Sequence, residues 1–146
     1  MSRKTKASDE AQIRAVIEKW AAALRNKDTA GVLSHYTPNQ VHFSLAPPLV
    51  STVSNAESLS AWFATWEGSI GYDILNLNIT VGGDVAFSHS LNRMQGTMTD
   101  GSKGDLWFRH TLGFQRITGV WKIAHEHESV PFYMDGSSKA AVDLEP

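Results

Sequence analysis

Residues Leu106–Pro131 read LWFRHTLGFQRITGVWKIAHEHESVP, and the fold turns on how this stretch pairs with itself. Two runs rich in β-branched and aromatic residues flank Ile117-Thr118-Gly119, the pattern of a long antiparallel hairpin. A glycine ending the turn suits a type I turn closed by a left-handed bulge residue. That closure sets Gln115 opposite Trp121, Gly113 opposite Ile123, Thr111 opposite His125, Arg109 opposite His127 and Trp107 opposite Ser129. Arg109, Thr111, His125, His127 and Ser129 then share one face. Phe108, His110, Leu112, Phe114, Lys122, Ala124, Glu126 and Glu128 share the other, because side chains alternate along a strand. A two-residue turn is the alternative: the register slips by one and sets Phe114, Leu112, His110 and Phe108 opposite Ile123, His125, His127 and Ser129. The bulged turn is favoured, since Thr-Gly lacks the paired left-handed residues that the tighter turn prefers.

Working outward, the preceding segments supply helices and more strands. Ile13, Val16, Ile17, Trp20 and Leu24 recur at helical spacing behind Ser8, a candidate cap. Asp28 caps a second, shorter helix through Tyr36, ended by Pro38-Asn39. Val41–Leu45 alternates as a short strand, and Pro47-Pro48 opens a loop. Ser54 and Glu57 form a capping-box pattern ahead of a third helix carrying Leu59, Trp62, Phe63, Trp66 and Ile70. From Tyr72 the period changes to two, with Leu75, Leu77, Ile79 and Val81 alternating, a turn at Gly82-Gly83, and a strand from Val85 to Thr97. If Asp100-Gly101 closes a two-residue turn, Asn92 falls opposite Arg109 and Ser90 opposite Thr111. Helices first, then a curled antiparallel meander, make an α+β arrangement.

The whole chain is 146 residues with 42% apolar content, which describes one domain with a real core. We place it at residues 8–132, with 1–7 and 133–146 as flexible termini. A net charge of −2 with scattered Lys and Arg gives no field for nucleic acid. The absence of cysteine excludes disulfides and thiolate metal sites and fits a cytoplasmic protein. No apolar run is long enough to cross a bilayer, and Met1–Ser8 lacks the core of a signal peptide.

The run Val16-Ile17-Glu18-Lys19-Trp20-Ala21-Ala22-Ala23-Leu24, then Asp28, then Val41-His42-Phe43, resembles the opening of the NTF2-like superfamily, in particular its ketosteroid isomerase-like and SnoaL-like branches. Arg109-x-Thr111 followed by Gly119-x-Trp121-x-Ile123-x-His125-Glu126-His127-x-Ser129-x-Pro131 resembles the last hairpin of the SnoaL-like group. The resemblance spans residues 8 to 132. It implies a conical (cystatin-like) fold in which a curved antiparallel sheet wraps around the helices and leaves a pocket, assembled as a homodimer through the sheet. Ketosteroid isomerases use an aspartate base, a tyrosine and a protonated aspartate. In this chain the corresponding positions fall on Ser44, Trp20 and Thr111, so isomerisation by that mechanism is not expected.

On the face of Arg109 the H-x-H spacing puts His125 and His127 side by side, as an acid–base pair or a metal site requires, and as two hydrogen-bonded core histidines also would. No metal and no cofactor is expected, because Glu126 and Glu128 point away and Arg109 brings a fixed positive charge. An anion suits such a site better. Arg109 reads either as a forked partner for a carboxylate or enolate, with Thr111 and Ser129 adding hydroxyls, or as the ion-pair partner of Asp105. These residues describe a cavity floored by Trp20, Trp62 and Trp66, edged by Ser44 and Asn92, and lined by Arg109, Thr111, His125, His127 and Ser129. It would take a small apolar molecule with a carbonyl or carboxylate. His127 or His125 would act as general base and Arg109 as oxyanion partner in an isomerase, cyclase or dehydratase-type proton transfer. A non-catalytic ligand-binding or oligomerising module is the competing reading. Phe87, His89 and Leu91 beside Phe108, His110, Leu112 and Phe114 would give the convex face an apolar cover for a second copy.

Overall fold

The computed structural model of the chain describes residues 3–52 and 55–146. The elements are α1 (Arg3–Arg25), α2 (Thr29–Leu33), β1 (Tyr36–Phe43), α3 (Ala56–Phe63), β2 (Trp66–Gly82), β3 (Val85–Met98), β4 (Lys103–Ile117) and β5 (Val120–Ser129). The strands form one curved, unclosed sheet in the order β1-β5-β4-β3-β2. This is the α+β cone of the NTF2-like fold, with one departure from an all-antiparallel meander: β1 runs parallel to β5 at one edge. A parallel pair needs a long crossover, and here the whole of α3 and three strands intervene.

The helix stripe read from the sequence is the core. Ile13, Ile17, Trp20 and Leu24 of α1 are buried against Ile70 and Tyr72 of β2, Phe108, Leu112 and Phe114 of β4, and Trp121 and Ile123 of β5. Burial of each such side chain stabilises the fold by about 2 kcal/mol. Helix α1 starts at Arg3 and passes through Ser8, so that serine is not its cap. Asp9, within the same turn, is buried and binds Arg116 Nη1 at 2.7 Å, which ties α1 to β4. Asp28 does cap α2, accepting from Gly31 N at 3.0 Å. The second helix is shorter than expected, since the chain extends from Tyr36, and Pro38 sits within β1, an edge strand where a missing N–H is tolerated. The cap of α3 is Asn55, which accepts from Ser58 N. The Ser54 of the capping-box reading lies outside the described residues.

Helix α3 ends at Phe63 rather than running to Ile70, and Trp66 opens β2. Its indole lies flat across two glycines of the neighbouring strands: a Cβ on Gly96 would stand 2.9 Å, and one on Gly104 3.1 Å, from the ring. Further along β2, Asn76 takes a positive φ of 57° and shifts the pairing with β3, so Leu75 turns outward while Leu77, Ile79 and Val81 pack against the core.

The central hairpin closes as the tighter alternative, through Thr118 and Gly119 at φ 48° and 81°, with Ile117 paired to Val120 and Phe114 to Ile123. A bulge at Ala124 then moves the register, so that Gly113 pairs with His125, Thr111 with His127 and Arg109 with Ser129. Neither register read from the sequence holds along the full hairpin. Arg109, Thr111, His125, His127 and Ser129 do share a face, but it is the outer one. Phe108, His110, Leu112 and Phe114 face the helices and are buried, together with Glu126. The β3–β4 turn spans Thr99 to Ser102, so Asn92 pairs with Phe108 and Ser90 with His110, one residue from the expected partners. After Phe132 the chain folds back on itself: Phe132 bridges Ala140, Ala141 N donates to Pro131 O at 2.8 Å, and Ala141 is buried.

Candidate functional site

The polar groups of the inner face converge between β1, β5 and β4. The parallel register of β1 and β5 sets His42 beside Glu126, and Glu128 follows two residues on, on the same face. On the other side of β5, Leu112 pairs with Glu126 and His110 with Glu128. Tyr36, at the start of β1, donates from its hydroxyl to Glu126 Oε1 at 2.6 Å and accepts from Trp20 Nε1 at 2.9 Å. His110 Nε2 donates to Glu126 Oε2 at 2.7 Å, and its ring stacks on Trp20 with centroids 5.4 Å apart. His42 Nε2 lies 2.6 Å from Glu128 Oε1 and 3.6 Å from Glu126 Oε1. A second group adjoins it, in which Ser90 donates to Asn92 Oδ1 and Asn92 Nδ2 donates to the Tyr72 hydroxyl at 2.7 Å.

This arrangement fixes the charges. Burial alone would push the Glu126 carboxyl up. The hydrogen bond and charge of His110, the charge of His42 and the Tyr36 hydrogen bond together outweigh it and hold its pKa at about 2. Burial first, then the adjacent Glu126 carboxylate, raises Tyr36 well above the ordinary phenol value, so it stays a donor. For His42 burial works against the charge, but the hydrogen bond to Glu128 and the charges of Glu126 and Glu128 overcome it and raise its pKa. The cluster is therefore a buried, ionised Glu126 with a proton-holding His42 and a second carboxylate at its rim.

The rim opens outward. After Phe43 the chain makes an excursion and returns at Ser51, whose backbone exchanges two hydrogen bonds with His42. Between this loop and the end of β5 lies a groove of about 630 Å³, walled by Phe43 and the apolar side chains of residues 45–49, with Ser44, His127 and Glu128 as its polar members. Glu128 belongs to both cluster and groove, and its bond to His42 uses Oε1, leaving Oε2 for a ligand. Donor atoms of His42, Glu126 and Glu128 lie within 4.8 Å of one another. The His42–Glu128 contact has the length of a hydrogen bond, so a divalent cation could be held there only after displacing that proton. What the arrangement offers a ligand is a carboxylate backed by an imidazole whose pKa is raised, the two halves of acid–base chemistry.

The residues expected to line one cavity are distributed over three places. Ser44 and His127 border the groove, although the Ser44 hydroxyl is spent on Ala46 O at 2.8 Å. Trp20, Trp66 and Asn92 are packed in the core, and Trp62 is partly exposed on α3 with its ring 5.9 Å from that of Trp66. Arg109, Thr111, His125 and Ser129 lie on the outer face: Arg109 Nε donates to Ser129 Oγ at 3.0 Å, and His125 Nδ1 donates to Val41 O at 2.7 Å. The expected Arg109–Asp105 pair is not formed, because Asp105 binds Arg93 across the strands at 2.8 and 2.9 Å. These residues keep the common face expected of them, but the face that packs on α1 is the opposite one, which carries the apolar Phe108, Leu112 and Phe114.

With this geometry in place, comparison with known proteins becomes specific. The SnoaL-like domain family matches residues 13–133. The chain belongs to that family. Among curated proteins none matches it. The SnoaL-like chain is similar to a solved NTF2-like protein of unknown function from Pseudomonas putida KT2440, 30% identical, covering 96% of this chain and 98% of that one with a TM-score of 0.85. Two more distant structures share the fold. One is a candidate scytalone dehydratase from Novosphingobium aromaticivorans DSM 12444 (14% identity, 95% and 97% coverage, TM-score 0.76), the other the association domain of CaMKII from C. elegans (17%, 87% and 99%, 0.68).

Sequence reasoning about this SnoaL-like chain missed Tyr36, His42, His110, Glu126 and Glu128 as a unit. One signal was available: Phe108, Leu112 and Phe114 alternate with Arg109, Thr111 and Gly113, and the larger apolar set belongs inside. Accepting that would have carried His110 inward. Glu126 and Glu128 share that face with His110 in the bulged register as well, and would have followed it inward.

Proposed function

We propose that this protein binds a small apolar molecule bearing a carbonyl in the groove beside Glu128 and moves a proton on it, with Glu128 as base and His42 as the acid that protonates the oxygen. The observation that carries this reading is Glu128 in the wall of an apolar groove, bonded at 2.6 Å to His42 behind it, with an ionised Glu126 held by Tyr36 and His110 further in. Proton abstraction next to a carbonyl is the step shared by isomerases, cyclases and dehydratases, and the candidate scytalone dehydratase among the structural relatives lends it support. Tyr36 and His110 act through Glu126 and are positioning residues. The test uses exchange of α-protons for deuterium in an enolisable bicyclic ketone such as 2-tetralone, followed by NMR. The protein accelerates exchange over buffer, and Glu128→Gln lowers the acceleration by about 100-fold, the usual contribution of a positioned base. Exchange no faster than in buffer sinks the catalytic reading.

The second reading, a non-catalytic module that self-associates, is favoured by the outer face, where Leu75, Val85 and Phe87 are 39%, 57% and 48% exposed. A homodimer through this face would cover them, and sedimentation velocity reads its presence directly.

A further inference from the structure

We propose that the groove is selective for cationic ligands: it takes an apolar molecule with a protonated amine and rejects carboxylates and phosphates. This rests on the groove being a ligand site, as in the preceding reading, but not on catalysis. The observation behind it is the charge of the walls. Among the described side chains that line the groove, Glu128 is the only carboxylate, and none is a Lys or Arg. A second carboxylate, Glu126, stands behind Glu128, and both reach the same His42 nitrogen. His110, the other imidazole near Glu126, is committed to Glu126 Oε2 inside the core. Arg109, on the face it shares with His127, is not among the residues that line the groove and is bonded to Ser129. The Ser44 hydroxyl donates to Ala46 O, so it is not available as a donor to an oxyanion. Among the described lining side chains the groove thus carries one carboxylate and no fixed cation, with the His127 imidazole as its remaining polar donor, so a charged ligand gains most as a cation. An ammonium does so with a charge-assisted bond to Glu128 Oε2, and the partly exposed ring of Phe43, held edge-on by His125 and His127 at centroid distances of 5.0 and 5.2 Å, gives the cation a π face. The remaining wall, Leu45 to Leu49, fits a flat hydrocarbon body.

The experiment compares naphthalen-2-ylmethylammonium with naphthalene-2-carboxylate, two probes of one shape and opposite charge, by calorimetry or NMR titration on the full chain. The wild type binds the ammonium at least about tenfold more tightly, corresponding to about 1.4 kcal/mol. Glu128→Gln, checked for native circular dichroism, removes most of that preference. Leu45→Lys changes an exposed loop side chain of the groove wall and shifts the preference toward the carboxylate, so the inference does not hang on one variant. Equal affinity for the two probes, a preference for the carboxylate in the wild type, or an ammonium preference untouched in Glu128→Gln overturns the inference. Binding of neither probe overturns it together with the groove as a ligand site. Selective ammonium binding without any deuterium exchange of 2-tetralone leaves the selectivity standing and removes only the catalytic reading.

Discussion

Replacing Glu126 by Gln tests the electrostatics of the inner cluster. The carboxyl is about 4% exposed, so solvent screening does little to weaken its interactions. Its fall from the ordinary 4.5 to about 2, at about 1.4 kcal/mol for each pKa unit, is worth roughly 3 kcal/mol of stability. The sign follows from proton binding. Between pH 4.5 and 2 the unfolded chain takes up the proton and the folded chain does not, so this contribution is complete above 4.5 and is lost as pH falls toward 2. His42 works in the opposite sense. Its folded pKa is raised above 6.5, so its contribution is complete below 6.5 and is lost as pH rises through the folded value. Together the two groups predict a plateau of stability between about pH 4.5 and 6.5. Urea unfolding followed by tryptophan fluorescence is well placed to see it, because Trp20 donates to Tyr36 and stacks on His110. Near pH 6 Glu126→Gln is less stable than the wild type by roughly 3 kcal/mol, and the gap closes toward pH 2 as the wild-type carboxyl protonates. A gap that stays constant from pH 6 to pH 2, or a variant as stable as the wild type near pH 6, refutes the ionised buried carboxylate.

Two other substitutions read separate parts of the fold. Gly96→Val puts methyl groups into the Trp66 indole, where even a Cβ would stand 2.9 Å away; a loss of about 1–3 kcal/mol is expected, seen as a lower thermal midpoint with unchanged circular dichroism at low temperature. Phe87→Glu changes a half-exposed outer-face residue; the monomer keeps its unfolding midpoint, while sedimentation velocity shows loss of the dimer if that face is the contact.

What could be read from the sequence was whatever depended on local periodicity. The α1 stripe from Ile13 to Leu24, the Asp28 cap, the alternation of β2 from Leu77 to Val81, the β3 strand and the long hairpin all stand, because spacing of 3.6 or 2 is written into neighbouring residues. What failed depended on single-residue register events. Thr118 occupies the left-handed region that a threonine seldom takes, which made the tight turn look unsuited, and the bulge at Ala124 has no glycine or proline to announce it. The two events offset each other beyond Ala124, so Arg109, Thr111, His125, His127 and Ser129 keep a common face, while Trp121 and Ile123 between them exchange faces and turn inward. The same reading misled over Trp66, whose spacing from Leu59, Trp62 and Phe63 is helical although α3 ends at Phe63. The candidate site was hidden further because its buried members are polar. Glu126 and Asn92 are buried with partners brought from far along the chain, Tyr36, His42 and His110 for the first and Tyr72 for the second, beside the local bond from Ser90.

We propose that the working groups are Glu128 and His42 of the inner cluster, not the arginine and histidines of the outer face. The most direct measurement is deuterium exchange of 2-tetralone catalysed by Glu128→Gln and Arg109→Ala, assayed side by side with the wild type. Loss of about 100-fold in Glu128→Gln with wild-type exchange in Arg109→Ala is the predicted result. Exchange retained in Glu128→Gln and abolished in Arg109→Ala would contradict it.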